Sequence, residues 1–136
     1  MSAALRLFDT ALMTARRERA AASAGAHDFL LKRVAEDLTD RLAIVQRRFP
    51  IALDLGAYHG VLGREIGRIP SVETLISLEP AARVLAEAPG HRVISHLDVL
   101  PFEEASLDLV VSGLALQLVD DLPGTLVQIR RALKPD

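Results

Sequence analysis

Ile51-Ala52-Leu53-Asp54-Leu55-Gly56-Ala57-Tyr58-His59-Gly60 is the stretch that decides how this chain folds. Its first five residues form an apolar run broken only by Asp54. Such a run suits a parallel strand covered on both faces, where alternation is lost because neither side meets water. The run stops at Gly56, and residues 60–69 then place Leu62, Ile66 and Ile69 at helical spacing. Glycines in a strand-to-helix turn let the backbone pass close to a ligand, and the first N–H groups of the helix stay free to meet it. The stretch therefore predicts a strand, a ligand-facing turn and a helix.

The same alternation continues toward the C-terminus. Residues 72–78 read as a second strand, 80–88 as a short helix stopped by Pro89-Gly90, 91–97 as a third strand and 107–112 as a fourth. A last helix from about Leu122 puts Leu122, Leu126, Ile129 and Leu133 on one face. Asp120 and Asp121 suit its positive N-terminus, and Pro123 is tolerated in the first turn. Toward the N-terminus, residues 28–48 predict a helix with the stripe Leu30, Val34, Leu38, Leu42 and Val45, ended by Phe49-Pro50. Residues 3–21 predict an amphipathic helix on Leu5, Phe8, Leu12 and Ala15. Strict strand–helix alternation with near-continuous apolar strands gives an α/β fold: three layers, a parallel sheet with helices on both faces and right-handed crossovers.

Composition narrows the function classes. The chain has 136 residues, a length that suits one domain, and half of them are hydrophobic, enough for a packed core. Sixteen Lys and Arg against 18 Asp and Glu leave a net charge of −2, with no broad field to attract nucleic acid or anionic lipid. Without cysteine there are no disulfides, thiolate metal sites or thiol nucleophiles, which suits a cytoplasmic setting. The longest near-apolar run, residues 107–119, is too short to span a bilayer. Arg6 and Asp9 break any apolar signal core near the N-terminus, so residues 1–26 read as a helical extension of the folded domain rather than a targeting peptide.

In such sheets ligands bind where strand C-termini meet helix N-termini. A nicotinamide-binding turn would place glycines at 56, 58 and 61, whereas they fall at 56, 60 and 63; a P-loop has no match either. Glu79 stands at the end of the second strand, 19 residues beyond Gly60, where a carboxylate can accept from both hydroxyls of a nucleoside ribose. Asp54 reads either as a structural acceptor for loop N–H groups or as a ligand contact, and Asp98 either as turn chemistry or as a ligand contact. His59 reads as facing solvent or stacking on a ligand. His27, His91 and His96 lack metal-site spacing, and no metal centre is expected.

Asp54-x-Gly56-x-x-x-Gly60, the strand-end Glu79, Asp98-Val99-Leu100-Pro101-Phe102 and the segment from Glu103 to Ser112 follow one another in an order that resembles class I S-adenosylmethionine-dependent methyltransferases. The resemblance covers about residues 27–136. It implies a Rossmann-like methyltransferase fold, S-adenosylmethionine as cofactor, and Asp54, Gly56, Ala57, Gly60, Glu79, Pro80, Asp98 and Val99 as the residues around it. No catalytic base is implied by this half of the fold. Leu7-Phe8-Asp9, Arg16-Arg17-Glu18-Arg19-Ala20 and Asp121-Leu122-Pro123-Gly124 are similar to bacterial relatives of the mitochondrial complex I assembly methyltransferase-like proteins. That group is implied to act on protein, and one member is an arginine hydroxylase. Carrier-protein methyltransferases of biotin synthesis are similar too.

Two departures from the family pattern shape the expectations. Tyr58 stands where the motif carries its middle glycine, and a positive φ there costs about 1 kcal/mol or more relative to glycine. Lys134-Pro135-Asp136 comes before the strands that complete the family's sheet, which makes the fourth strand an edge and Leu109-Val110-Val111 a candidate dimer contact. Three functions follow in order: the cofactor half of a methyltransferase acting on an unidentified acceptor, an inactive or hydroxylase-type complex I assembly factor on the same fold, and a nicotinamide dehydrogenase.

Overall fold

A computed structural model describes residues 6–135, so the expectations for residues 3–5 and for Asp136 lie outside the described residues. The strands are β1 (Phe49–Leu55), β2 (Val72–Leu78), β3 (His91–Val93) and β4 (Leu109–Val111). The helices are α1 (Thr10–Ala20), α2 (Phe29–Ala43), α3 (Val61–Ile66), α4 (Ala82–Leu85) and α5 (Leu122–Ala132). The sheet runs β3-β2-β1-β4, and all three pairings are parallel. The chain moves outward from β1 through β2 to β3, then crosses back to pair β4 on the other side of β1. The strand order thus reverses between β1 and β4, and the C-terminal tips of both point to one crevice, the usual ligand position in such sheets.

Successive residues of β1 face opposite layers, and each layer has its own core. On one side Ala52, Val72, Leu75 and Val111 pack with Ala35 of α2 and Val61, Leu62 and Ile66 of α3. On the other, Leu53, Leu55 and Leu78 pack with Leu97, Leu107 and Ala132, and Ile129 of α5 joins them. Both faces of β1 are therefore dry, which is why its sequence reads as a run rather than an alternation.

Several elements differ from their sequence reading. α1 starts at Thr10, because the Asp9 carboxylate accepts from Leu12 N (3.0 Å) and caps the helix there. Its expected apolar face buries nothing: no residue of α1 is buried, and Leu12 is exposed. In α2 the inward residues are Leu31, Ala35, Leu38 and Leu42, while Leu30 and Val45 face water, and the helix ends at Ala43 rather than Arg48. Phe49 and Pro50 begin β1 instead of only ending a helix. β3 stops at Val93, with Ile94 exposed beyond it. Asp121 caps α5 by accepting from Gly124 N (2.9 Å), but Leu122 and Leu126 are exposed, and Thr125, Ile129 and Ala132 turn inward.

β4 is the outermost strand, as expected, although its lower end is covered. Leu133 bridges Leu107 in parallel, and Lys134 N donates to Leu107 O (2.8 Å). No helix among the described residues is long and apolar enough to cross a membrane.

Candidate functional site

Glu79 follows β2 directly, and its own N–H donates to Val93 O of β3 (3.1 Å), which fixes the backbone before the chain turns away. The side chain is fully buried. Oε1 accepts from Tyr58 N (3.2 Å) and from Arg17 Nη1 (2.6 Å), while Oε2 accepts from Ala81 N (2.9 Å). Burial pushes the Glu79 carboxyl up from its ordinary range, and the Arg17 guanidinium and the two backbone N–H groups pull against that shift. A buried carboxylate surrounded by aligned donors is a preformed acceptor for hydroxyls.

Asp54 is buried as deeply one strand away, but it points under α3. A Cβ added to Gly63 of that helix would lie 3.3 Å from Asp54 Oδ2, so no bulkier residue would sit easily over it. Neither carboxylate oxygen has a hydrogen-bond partner. The expected role as an acceptor for loop N–H groups is therefore not seen, because the loop amides turn elsewhere: Gly56 N and Ala57 N both donate to Leu78 O (3.0 and 2.9 Å). Burial raises Asp54 to about 7, opposed by the nearby Gly63 backbone and reinforced by the charge of Glu79.

Between the two acids runs the glycine turn. Gly56 has φ +77°, and a Cβ there would meet the Ala115 side chain at 2.5 Å. Gly60 caps α3 at φ +91°, with Pro89 and the Ala88 backbone filling the space a side chain would need. Tyr58 does take a positive φ, 52°, and its ring lies 5.5 Å from the Arg17 guanidinium carbon. His59 neither faces solvent nor stands ready for a ligand. It is buried, and its Nε2 donates to Asp28 Oδ2 (2.7 Å) at the start of α2, tying the turn to that helix. Its Nδ1 has no partner.

Two clefts open at the strand tips. One, with about 450 Å³ of space between atoms counted to its open mouth, is walled by Thr10, Met13 and Thr14 of α1 and, opposite them, by Pro80, Asp98, Leu118 and Val119. The other lies over the strand-order reversal, between Gly56, Tyr58, Gly113, Leu114 and Ala115. Arg17 lines both. Pro80 and Asp98 line the first cleft and Gly56 the second, while Glu79, fully buried, lines neither and meets them only through Arg17. Ala57 and Gly60 lie buried in the turn, Asp54 also lines neither cleft, and Val99 is exposed.

These residues fit an adenosyl cofactor on the evidence of their own contacts. Glu79 is buried and already engaged by a donor, Arg17, in the way ribose hydroxyls would engage it. The cleft that Arg17 lines is mostly apolar, with Asp98 and Asp120 among its walls, and with Arg17 and α1 in place it leaves only about 40 Å³ of free room. Arg17 itself was not singled out from the sequence, where it is one of 16 cations and lies 62 positions from its partner. Leu118 and Val119 were read only as part of an apolar run.

Comparison with known proteins agrees with this geometry. Residues 53–136 match the family described as a methyltransferase domain. The mouse mitochondrial arginine-hydroxylase NDUFAF5 is 33% identical over 140 residues, which cover 98% of this chain and 40% of that protein. The malonyl-[acyl-carrier protein] O-methyltransferase of Halorhodospira halophila is 36% identical over 115 residues, 79% of this chain and 39% of that enzyme. Among solved structures, the Haloferax volcanii complex of the Trm112 methyltransferase activator with a methyltransferase matches with a TM-score of 0.75 at 24% identity, over 88% of this chain and 56% of that one. The chain spans about two-fifths of the length of these curated relatives.

Proposed function

The chain belongs to the methyltransferase domain family, whose cofactor is S-adenosylmethionine, and from that premise we propose that it is the cofactor-binding part of an S-adenosylmethionine-dependent methyltransferase. The observation that carries this reading is the buried Glu79 carboxylate just past the tip of β2, bonded to Arg17, which lines both strand-tip clefts. Glu79 accepts from the ribose hydroxyls, Pro80, Asp98 and Val99 flank the adenine, and the backbone from Gly56 to Gly60 lets the methionine portion pass. Asp54 and Ala57 support that turn from beneath, and the two buried carboxylates favour a cationic ligand over them.

Bound there, the cofactor supplies a methyl group already activated by its sulfonium, so the protein's task is alignment rather than proton transfer. No base is therefore required of the lining residues, among which His96, Asp98 and Asp120 stand. The acceptor side is proposed to be a protein or a group carried on one, supported by the acyl-carrier protein in the name of one relative. The cysteine-free composition supports a cytoplasmic setting. A second reading, a hydroxylase-type complex I assembly factor on the same fold, is favoured by the identity to arginine hydroxylases and by the occupation of Glu79 by Arg17.

Calorimetric titration with S-adenosylmethionine and S-adenosylhomocysteine separates the two. Micromolar binding of either ligand supports the cofactor site. No binding of either, with the protein folded, favours the assembly reading, and binding of NAD in their place would point to a dehydrogenase.

A further inference from the structure

Arg17 stands at the join of the two clefts, lining both, with its guanidinium bonded to Glu79. A ligand reaching from the Pro80–Asp98 side to the glycine turn has to cross that join. The acceptor count gives the same answer. A carboxylate offers about four lone-pair sites, and three of those on Glu79 are taken by Arg17, Tyr58 N and Ala81 N. A ribose diol needs two, so one donor must leave, and the two backbone N–H groups are fixed by the fold.

The helix that carries Arg17 is built to leave. α1 buries no residue, whereas α2 buries Ala35 and seats Leu31, Leu38 and Leu42 in the core. Polar contacts hold the N-terminal segment in place. Asp120 Oδ1 accepts from Leu7 N (2.6 Å) and Phe8 N (2.9 Å), the Glu18 carboxylate accepts from Arg83 N at the start of α4 (3.1 and 3.2 Å), and Arg17 sits on Glu79 and near the Tyr58 ring. The exposed contacts can be exchanged for water at small net cost, unlike apolar packing, whereas Arg17 can leave the buried Glu79 cheaply only if a ligand's own donors take its place. Thr10, Met13 and Thr14 form a whole wall of the cleft, so moving α1 opens it from the side.

We propose that α1 is a lid latched by Arg17 on Glu79, and that the ribose diol of an adenosyl ligand competes with Arg17 for that carboxylate. The inference rests on the cofactor reading above and adds its gate. Tyr58 gains a reason as well: in place of a glycine it gives the latched guanidinium an aromatic face to rest on.

The test compares S-adenosylhomocysteine binding by the wild type and by Arg17→Ala, at alkaline pH to favour ionised Glu79 once its cation is gone. A latch predicts about tenfold tighter binding and a faster association rate for Arg17→Ala, with faster hydrogen exchange over residues 10–20 of the ligand-free variant. Glu18→Gln combined with Asp120→Asn loosens the other fastenings while keeping the Arg17–Glu79 bond, and it should tighten binding about threefold even if Arg17→Ala folds poorly. Binding by the wild type that is unchanged or weakened in both variants overturns the lid and leaves the cofactor site standing. Absence of binding in the wild type and every variant overturns the cofactor site and the lid with it.

Discussion

Asp54 near the tip of β1 and Glu79 just past the tip of β2 are both carboxylates with almost no contact with water, yet they have opposite surroundings. Glu79 collects three hydrogen bonds, one of them from a cation that lines both clefts. Asp54 has none and faces the underside of α3. The difference comes from where each sits on its strand. Asp54 lies within the pleat, so its side chain is committed to the layer of α2 and α3. Glu79 lies one residue after β2 ends, where the turning chain delivers Ala81 N to it and the glycine turn after β1 delivers Tyr58 N.

The largest effect expected from this contrast is on binding. Glu79→Ala should weaken S-adenosylhomocysteine binding about a hundredfold or more, since hydrogen bonds to a charged acceptor are worth about 1.5–3 kcal/mol each and two are lost. A comparable loss from Asp54→Ala in a variant that remains folded would erase the distinction between the two acids.

Asp54 should instead show itself in stability. Its carboxyl gives up a proton near 3.8 when unfolded and at about 7 when folded, so the folded state binds more protons between those values and stability falls as pH rises through that window. Asp54→Asn removes the titration. Chemical denaturation of the two proteins should show the wild type losing about 2–3 kcal/mol relative to the variant between pH 5 and pH 8. Parallel pH profiles would mean that Asp54 finds donors in solution after all.

The smallest effect concerns the ring beside the latch. Tyr58→Leu keeps the backbone donor to Glu79 but removes the aromatic face under Arg17, a contact worth about 0.5–1 kcal/mol at a partly exposed site. Hydrogen exchange in α1 should accelerate by about two- to fivefold. No change would place the hold on α1 elsewhere.

Much of this architecture could be read from local pattern. β2 is bracketed by Pro70 before it and by Glu79-Pro80 after it, and its observed span is the one its apolar run predicts. The parallel sheet followed from β1 lacking alternation, and the structure supplies the reason in its two cores. Helix faces were harder to read. Leu30 and Leu31 are adjacent leucines, and only the packing of α2 on α3 decides that Leu31 goes in. That Gly56, Glu79, Pro80 and Asp98 lie beyond strand ends was legible, because strand-tip positions follow from topology alone. The pairs Arg17–Glu79 and His59–Asp28, 62 and 31 positions apart, carry no periodicity or motif, and a sequence pattern cannot show that two ordinary polar residues meet.

A crystal structure of the full chain with S-adenosylhomocysteine tests the central claim most directly. The account predicts both ribose hydroxyls within hydrogen-bonding distance of Glu79, the adenine between Pro80 and Asp98, and the Arg17 guanidinium displaced. A ligand seated away from the β2 tip, with Arg17 still on Glu79, would contradict it.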